Sequence, residues 1–81
     1  MEVQLSKKAE KYYLTQDRIT RKRLKLGLLG LEKEPPDGNI VPIVGKENTY
    51  RLRVGNFRVL YEKHSDKIRV TNIDSRGQIY K

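Results

Sequence analysis

The segment "YRLRVGNFRVLYE", residues 50–62, alternates its side chains with a period of two on both sides of a Gly-Asn pair. Tyr50, Leu52 and Val54 fall on one side and Arg51 and Arg53 on the other. That period is the mark of a strand with one buried face. Gly55-Asn56 suits a tight hairpin turn. Beyond it Phe57, Val59 and Tyr61 resume the buried face and leave Arg58 and Leu60 opposite. A hairpin of this kind needs an apolar layer over one face, and an antiparallel sheet can leave its other face in water.

The cover comes from the N-terminal half. "MEVQLS" alternates Val3 and Leu5 against Glu2 and Gln4 and reads as a strand. Ser6 then caps a first helix, whose apolar stripe is Ala9, Tyr12 and Tyr13. Thr15 and Asp17 interrupt it and offer caps for a second. Leu24, Leu28 and Leu31 repeat in that helix at i, i+4 and i+7, and Ile19 is expected one turn earlier on nearly the same side. Gly27 and Gly30 weaken it by up to ~1 kcal/mol each, a cost that closer helix–sheet packing would offset. "EKEPPDGN" ends it, since proline cannot continue a helix and Asp37-Gly38 signals a turn. "IVPIVGKEN" is a loop or a short edge strand, because Pro42 cannot donate to a ladder. After "HSDK", where His64 reads as a plain turn residue, "IRVTNI" forms a further strand. Ile68, Val70 and Asn72 are placed on its inner side, against Arg69 and Thr71. The expectation is one α+β domain over residues 1–81 in the order β-α-α-β-β-β, with a twisted, mainly antiparallel sheet and both helices on one face.

Charge says what the open face meets. The chain has 81 residues with 18 Lys+Arg against 10 Asp+Glu, a net charge of +8. This favours a polyanionic partner. There is no cysteine and His64 is the one histidine, so disulfides and thiolate metal sites are excluded, and neither a metal nor a cofactor is expected. The first residues lack the apolar core of a signal peptide and no run of ~18 apolar residues occurs. A cytoplasmic protein without a membrane partner is expected.

A solvated face is the ordinary use of exposed arginines. Arg51, Arg53 and Arg58, however, have no carboxylate between residues 51 and 60, so on neighbouring strands they repel one another. A phosphate-bearing partner would neutralise them, and guanidinium forks match phosphate oxygens. The tail "NIDSRGQIYK" adds Arg76, Tyr80 and Lys81. Tyr80 could plug the core, stack on a base or handle a proton; arginines beside an aromatic are common where RNA is bound. "RITRKRLK" supplies a second basic group, Arg18, Arg21, Lys22, Arg23 and Lys25. It is either a solvated helix face or a salt-sensitive dock for ribosomal RNA or an acidic protein.

"YRLRVGNFRVLYE" followed by "IRVTNIDSRGQIYK" resembles the C-terminal half of the RelE/ParE superfamily of toxins. "SKKAEKYYLT" and "LEKEPPDGNIVPIVG" resemble that family's first helix and its connection into the sheet. What the resemblance implies is closest to RelE: a ribosome-dependent endonuclease that cuts mRNA in the A site by attack of a 2′-hydroxyl on the adjacent phosphate, so inhibiting translation. By motif, Arg51 and Arg53 match phosphate-binding residues, with Lys81 beside them. Arg58 matches the arginine that stabilises the transition state, Arg76 a basic residue near the leaving group, and Tyr80 a tyrosine that takes or orients a proton. RelE carries lysines where this chain has Arg51 and Arg53, and many relatives have histidine or lysine where it has Ser75. Arginine stays protonated, so proton transfer is left to Tyr80 or to the bound mRNA and ribosome. The resemblance also implies a co-encoded antitoxin, with operator DNA bound only by the toxin–antitoxin complex. Two alternatives keep the fold: a ParE-like inhibitor of DNA gyrase, and an RNA-binding relative without catalysis.

Overall fold

A computed structural model of the chain describes residues 1–75. Strand β1 (Glu2–Leu5) leads into helices α1 (Lys7–Leu14) and α2 (Arg18–Leu31). Strands β2 (Asn39–Pro42), β3 (Thr49–Val54), β4 (Phe57–Lys63) and β5 (Lys67–Ser75) follow. The five strands form one sheet in the order β1-β5-β4-β3-β2, in which β1 runs parallel to β5 and every other pair is antiparallel. "IVPIVGKEN" therefore supplies an edge strand, one more than the minimal expectation, and Pro42 stands at its end, opposite Tyr50. No helix among the described residues is long and apolar enough to cross a membrane.

The expected caps form. The Ser6 hydroxyl accepts the Ala9 N–H at 3.1 Å, and Asp17 Oδ1 accepts the Thr20 N–H at 2.7 Å. That bond, with the nearby Arg21 and Arg23, holds the Asp17 carboxyl below the usual range. Leu24, Leu28 and Leu31 of α2, with Ala9 of α1, bury against Leu52, Val59, Tyr61, Ile68, Val70 and Ile73. Both helices thus cover one face of the sheet. Ile19 does not join them and is 69% exposed. It precedes Leu24 by five residues, which at 3.6 residues per turn puts it about 140° away.

The two helical glycines are points of close approach, Gly27 to the sheet and Gly30 to the α2–β2 connection. A Cβ on Gly27 would lie 2.6 Å from Val54 Cγ2, and one on Gly30 would lie 2.8 Å from the Asp37 carbonyl oxygen. The Asp37 N–H also donates to the Gly30 carbonyl at 2.9 Å, which ties the α2–β2 connection onto the helix.

The hairpin of β3 and β4 forms with the expected register, Val54 opposite Phe57. Gly55 takes a left-handed φ of +57°, as the first central residue of a II′ turn requires. In β5 the register departs from simple alternation. Leu60 faces Asn72 while Tyr61 faces Val70, so Thr71 is an extra, bulged residue. The bulge reverses the alternation beyond it. Ile73, 1% exposed, takes the inner position expected for Asn72, and Asn72 moves to the open side.

Candidate nucleic-acid interface

On the open face, strand pairing sets side chains in rows across the sheet. One row runs Asn39, Arg53, Arg58, Asp74 over β2, β3, β4 and β5. The next runs Val41, Arg51, Leu60, Asn72. The three arginines of the hairpin therefore come together as expected, with Arg53 and Arg58 directly opposed and Arg51 one row away. Directly opposed side chains stand about 5 Å apart at Cβ, where like charges destabilise.

The carboxylate that residues 51–60 lack comes from β5. Arg58 Nε donates to Asp74 Oδ1 at 2.9 Å and Arg58 Nη2 to Asp74 Oδ2 at 3.0 Å, a two-pronged pair of the kind that carboxylates make with arginine. The expectation of three mutually repelling arginines is corrected to this extent: Asp74 offsets one of them. Both side chains stay about one-third exposed, 32% and 35%. Asp74 also adds to the rise in the Tyr12 phenol pKa, after burial, which is the larger cause.

Arg51 and Arg53 are held differently. Arg51 is half-buried between the rows' apolar members Val41 and Leu60, and its Nε is buried with no hydrogen-bond partner among the described residues. Arg53 is exposed. It lines a groove of about 490 Å³ with Arg23, Leu26, Gly27, Gly30, Asp37 and Val54 among its walls. Here one member of the helical basic group meets one member of the sheet group.

The rest of the helical group does not share that position. At about 100° per residue, Arg18, Lys22 and Lys25 lie on one flank of α2 and Arg23 on the other. Arg21 turns back and donates from Nη1 to the Gln16 carbonyl at 3.1 Å, where it ties the α1–α2 connection. Between the flanks stand Ile19 and Leu26 (63% exposed), while Leu29 falls within the first flank, between Arg18 and Lys22. The five residues expected as one basic dock are thus split by an apolar stripe.

His64 sits in the turn between β4 and β5, its ring 3.2 Å from Glu62 Oε1. Glu62 shares the open face with the arginines but is four residues from Arg58 along β4, about 13 Å. Arg76, Tyr80 and Lys81 lie outside the described residues.

Sequence reasoning missed two features. Asp74 could not be paired with Arg58 without knowing of the Thr71 bulge. The other lies on the helix-covered side, where Tyr50 and Tyr61 stack at a centroid distance of 5.4 Å. They wall a hollow of about 360 Å³ with Pro36, Gly38, Ile40 and Lys63. Burial raises the Tyr61 phenol pKa, and Tyr50 adds to the shift. Their shared place on alternate inner positions of paired strands was the available signal.

Chemically the open face can grip two or more phosphates and stabilise charge at one of them. Its guanidiniums cannot accept a proton, and neither row contains a group that titrates near neutrality in its ordinary state.

Comparison with known proteins fits this architecture. Residues 3–80 match the family described as ParE toxin of type II toxin–antitoxin system, parDE. No curated protein matches in sequence. Among solved structures, the chain is similar to one from Methanococcus jannaschii, a RelB–RelE antitoxin–toxin complex. The TM-score is 0.77 at 29% identity, covering 95% of this chain and 94% of that one. The Pyrococcus horikoshii OT3 RelE–RelB complex gives a TM-score of 0.80 at 23% identity, covering 95% and 96%. The isolated Escherichia coli RelE toxin gives 0.79 at 16%, covering 98% and 89%.

Proposed function

Since the chain belongs to the ParE toxin family of type II toxin–antitoxin systems, we propose that it halts growth by cutting mRNA on the ribosome with the open face of its sheet. The observation that carries this reading is the row placing Arg53 directly against Arg58, with Arg51 beside it. A face that concentrates like charge at a cost in stability is accounted for by a ligand that carries the opposite charge.

In the proposed reaction the 2′-oxygen of a nucleotide forms a bond to the adjacent phosphorus as the bond to the 5′-oxygen breaks. The products are a 2′,3′-cyclic phosphate and a free 5′-hydroxyl. The 2′-hydroxyl gives up a proton and the leaving oxygen gains one. Arg51 and Arg53 hold the flanking phosphates. Arg58 stabilises the charge that grows on the phosphoryl oxygens, where preorganised donors act most strongly. The roles of Arg76 near the leaving group, Tyr80 in proton transfer and Lys81 on phosphate are carried over from the resemblance to RelE. Arg23 extends the basic surface from the sheet to α2, towards ribosomal RNA, and Arg18, Lys22 and Lys25 supply charge on the helix's other flank.

A cognate antitoxin is the protein partner, as the archaeal neighbours solved as antitoxin–toxin complexes support. The +8 charge suits an acidic wrapping segment, and operator DNA is bound by the pair together.

The test is cleavage of a defined message in a purified translation system. Cuts at the A-site codon by the wild type, lost in Arg58→Ala, are expected. The match to a ParE family model favours one second reading, inhibition of DNA gyrase without RNA cleavage. An intact message together with inhibited supercoiling would replace the first reading with the second.

A further inference from the structure

Asp74 has no part in the mechanism above, yet the sheet is built to deliver it. Were β5 to alternate without interruption, Asp74 would fall on the face covered by the helices, because a one-residue shift exchanges the faces of a strand. The extra residue Thr71 prevents this and aims Asp74 at Arg58. Three hydrogen bonds pin the bulge. The Ser6 N–H donates to the Val70 carbonyl at 2.8 Å, and the Ser6 hydroxyl to the Thr71 carbonyl at 3.0 Å. The Thr71 hydroxyl donates to the Leu60 carbonyl at 3.3 Å. Ser6 also caps α1, so the helix start and the bulge are one unit.

We propose that Asp74 is a positioning residue: its carboxylate fixes the plane and direction of the Arg58 guanidinium against the repulsion of Arg53, before any phosphate arrives. The proposal rests on the reading of Arg58 as the group that stabilises the transition state. Two bonds through Nε and Nη2 set both the tilt and the rotation of the guanidinium, which one bond would not do. At about one-third exposure the pair is partly screened by water, and a negative charge here opposes phosphate binding in the ground state, so a benefit to catalysis has to come through the orientation of Arg58.

The experiment compares wild type, Asp74→Asn and Asp74→Glu in the translation system, with rate and message dependence measured separately. Asp74→Asn is expected to lower kcat by roughly ten- to a hundredfold, the upper figure being what a 1 Å misplacement costs. KM should be unchanged or lower, and Asp74→Glu, which keeps the carboxylate, should recover most of the rate. A wild-type kcat in Asp74→Asn overturns the proposal, as does a loss confined to KM. Should the wild type itself cut no message, the nuclease reading fails, and nitrogen-15 NMR of the Arg58 side chain decides the positioning separately. A protected Nε–H that exchanges faster in Asp74→Asn upholds it; equal exchange overturns it.

Discussion

The two faces of one sheet are built from alternate residues of the same strands and obey opposite rules. On the covered face, Leu52, Val59, Tyr61, Ile68, Val70 and Ile73 are buried against α1 and α2, and at Gly27 the sheet comes so close that an added Cβ would lie 2.6 Å from Val54 Cγ2. On the open face Arg53 stands directly opposite Arg58, and the buried Nε of Arg51 has no partner among the described residues. The first arrangement lowers the free energy of the folded chain. The second sets like charges against one another, a cost that Asp74 offsets at Arg58. The lesson is that stability and activity should separate by parity along β3 and β4: even-numbered positions of β3 and odd-numbered positions of β4 for folding, the alternate ones for the ligand.

The largest expected effect on folding comes from Leu24→Ala, which empties a fully buried position between α2 and the sheet. A loss of about 2–5 kcal/mol is a large share of what a domain this small has in total. Chemical denaturation measures it. A loss below about 1 kcal/mol would show that the covered face is loosely packed.

Gly30→Ala sharpens the comparison within the covered face. Helix propensity favours alanine by about 1 kcal/mol, but the new methyl meets the carbonyl of Asp37, a residue whose N–H is hydrogen-bonded to the Gly30 carbonyl. Overpacking costs about 1–3 kcal/mol. The variant should melt a few degrees lower, since 1 kcal/mol is worth roughly 4–8 °C in a domain of this size. A higher melting temperature would mean that the connection yields.

The smallest effect is at Asp17. Its carboxyl titrates below the usual range in the folded chain because it accepts the Thr20 N–H and lies near Arg21 and Arg23. The stabilisation is therefore complete above the ordinary aspartate pKa and is lost as pH falls through the depressed one. Acid unfolding below about pH 4 should be less steep in Asp17→Asn, which keeps a capping acceptor without the charge. Identical acid limbs would contradict this.

How much of this the chain disclosed on its own follows from how local each signal is. The hairpin, the Ser6 and Asp17 caps and the Leu24–Leu28–Leu31 stripe depend on neighbours within a few residues, and they are legible. The Thr71 bulge is held by Ser6 and by the Leu60 carbonyl, 65 and 11 residues earlier in the chain. No local pattern predicts it, so Asn72 is placed inside and Asp74 goes unnoticed. Ile19 is near Leu24 in sequence but about 140° from it around the helix, which leaves it outside. The basic run "RITRKRLK" looks like one patch in the sequence, and only the helix's contact with the sheet shows which cation meets the arginines of β3.

The central claim, that the open face keeps its arginines for a ligand at some cost to the fold, is tested most directly at Arg53. It is exposed and opposes Arg58 across the hairpin. Melting temperature and A-site cleavage would be measured on the same preparations of wild type and Arg53→Ala. The account predicts a melting temperature that holds or rises, as a like-charge pair is relieved, together with reduced cleavage. A lower melting temperature with cleavage intact would make Arg53 part of the scaffold and contradict the account.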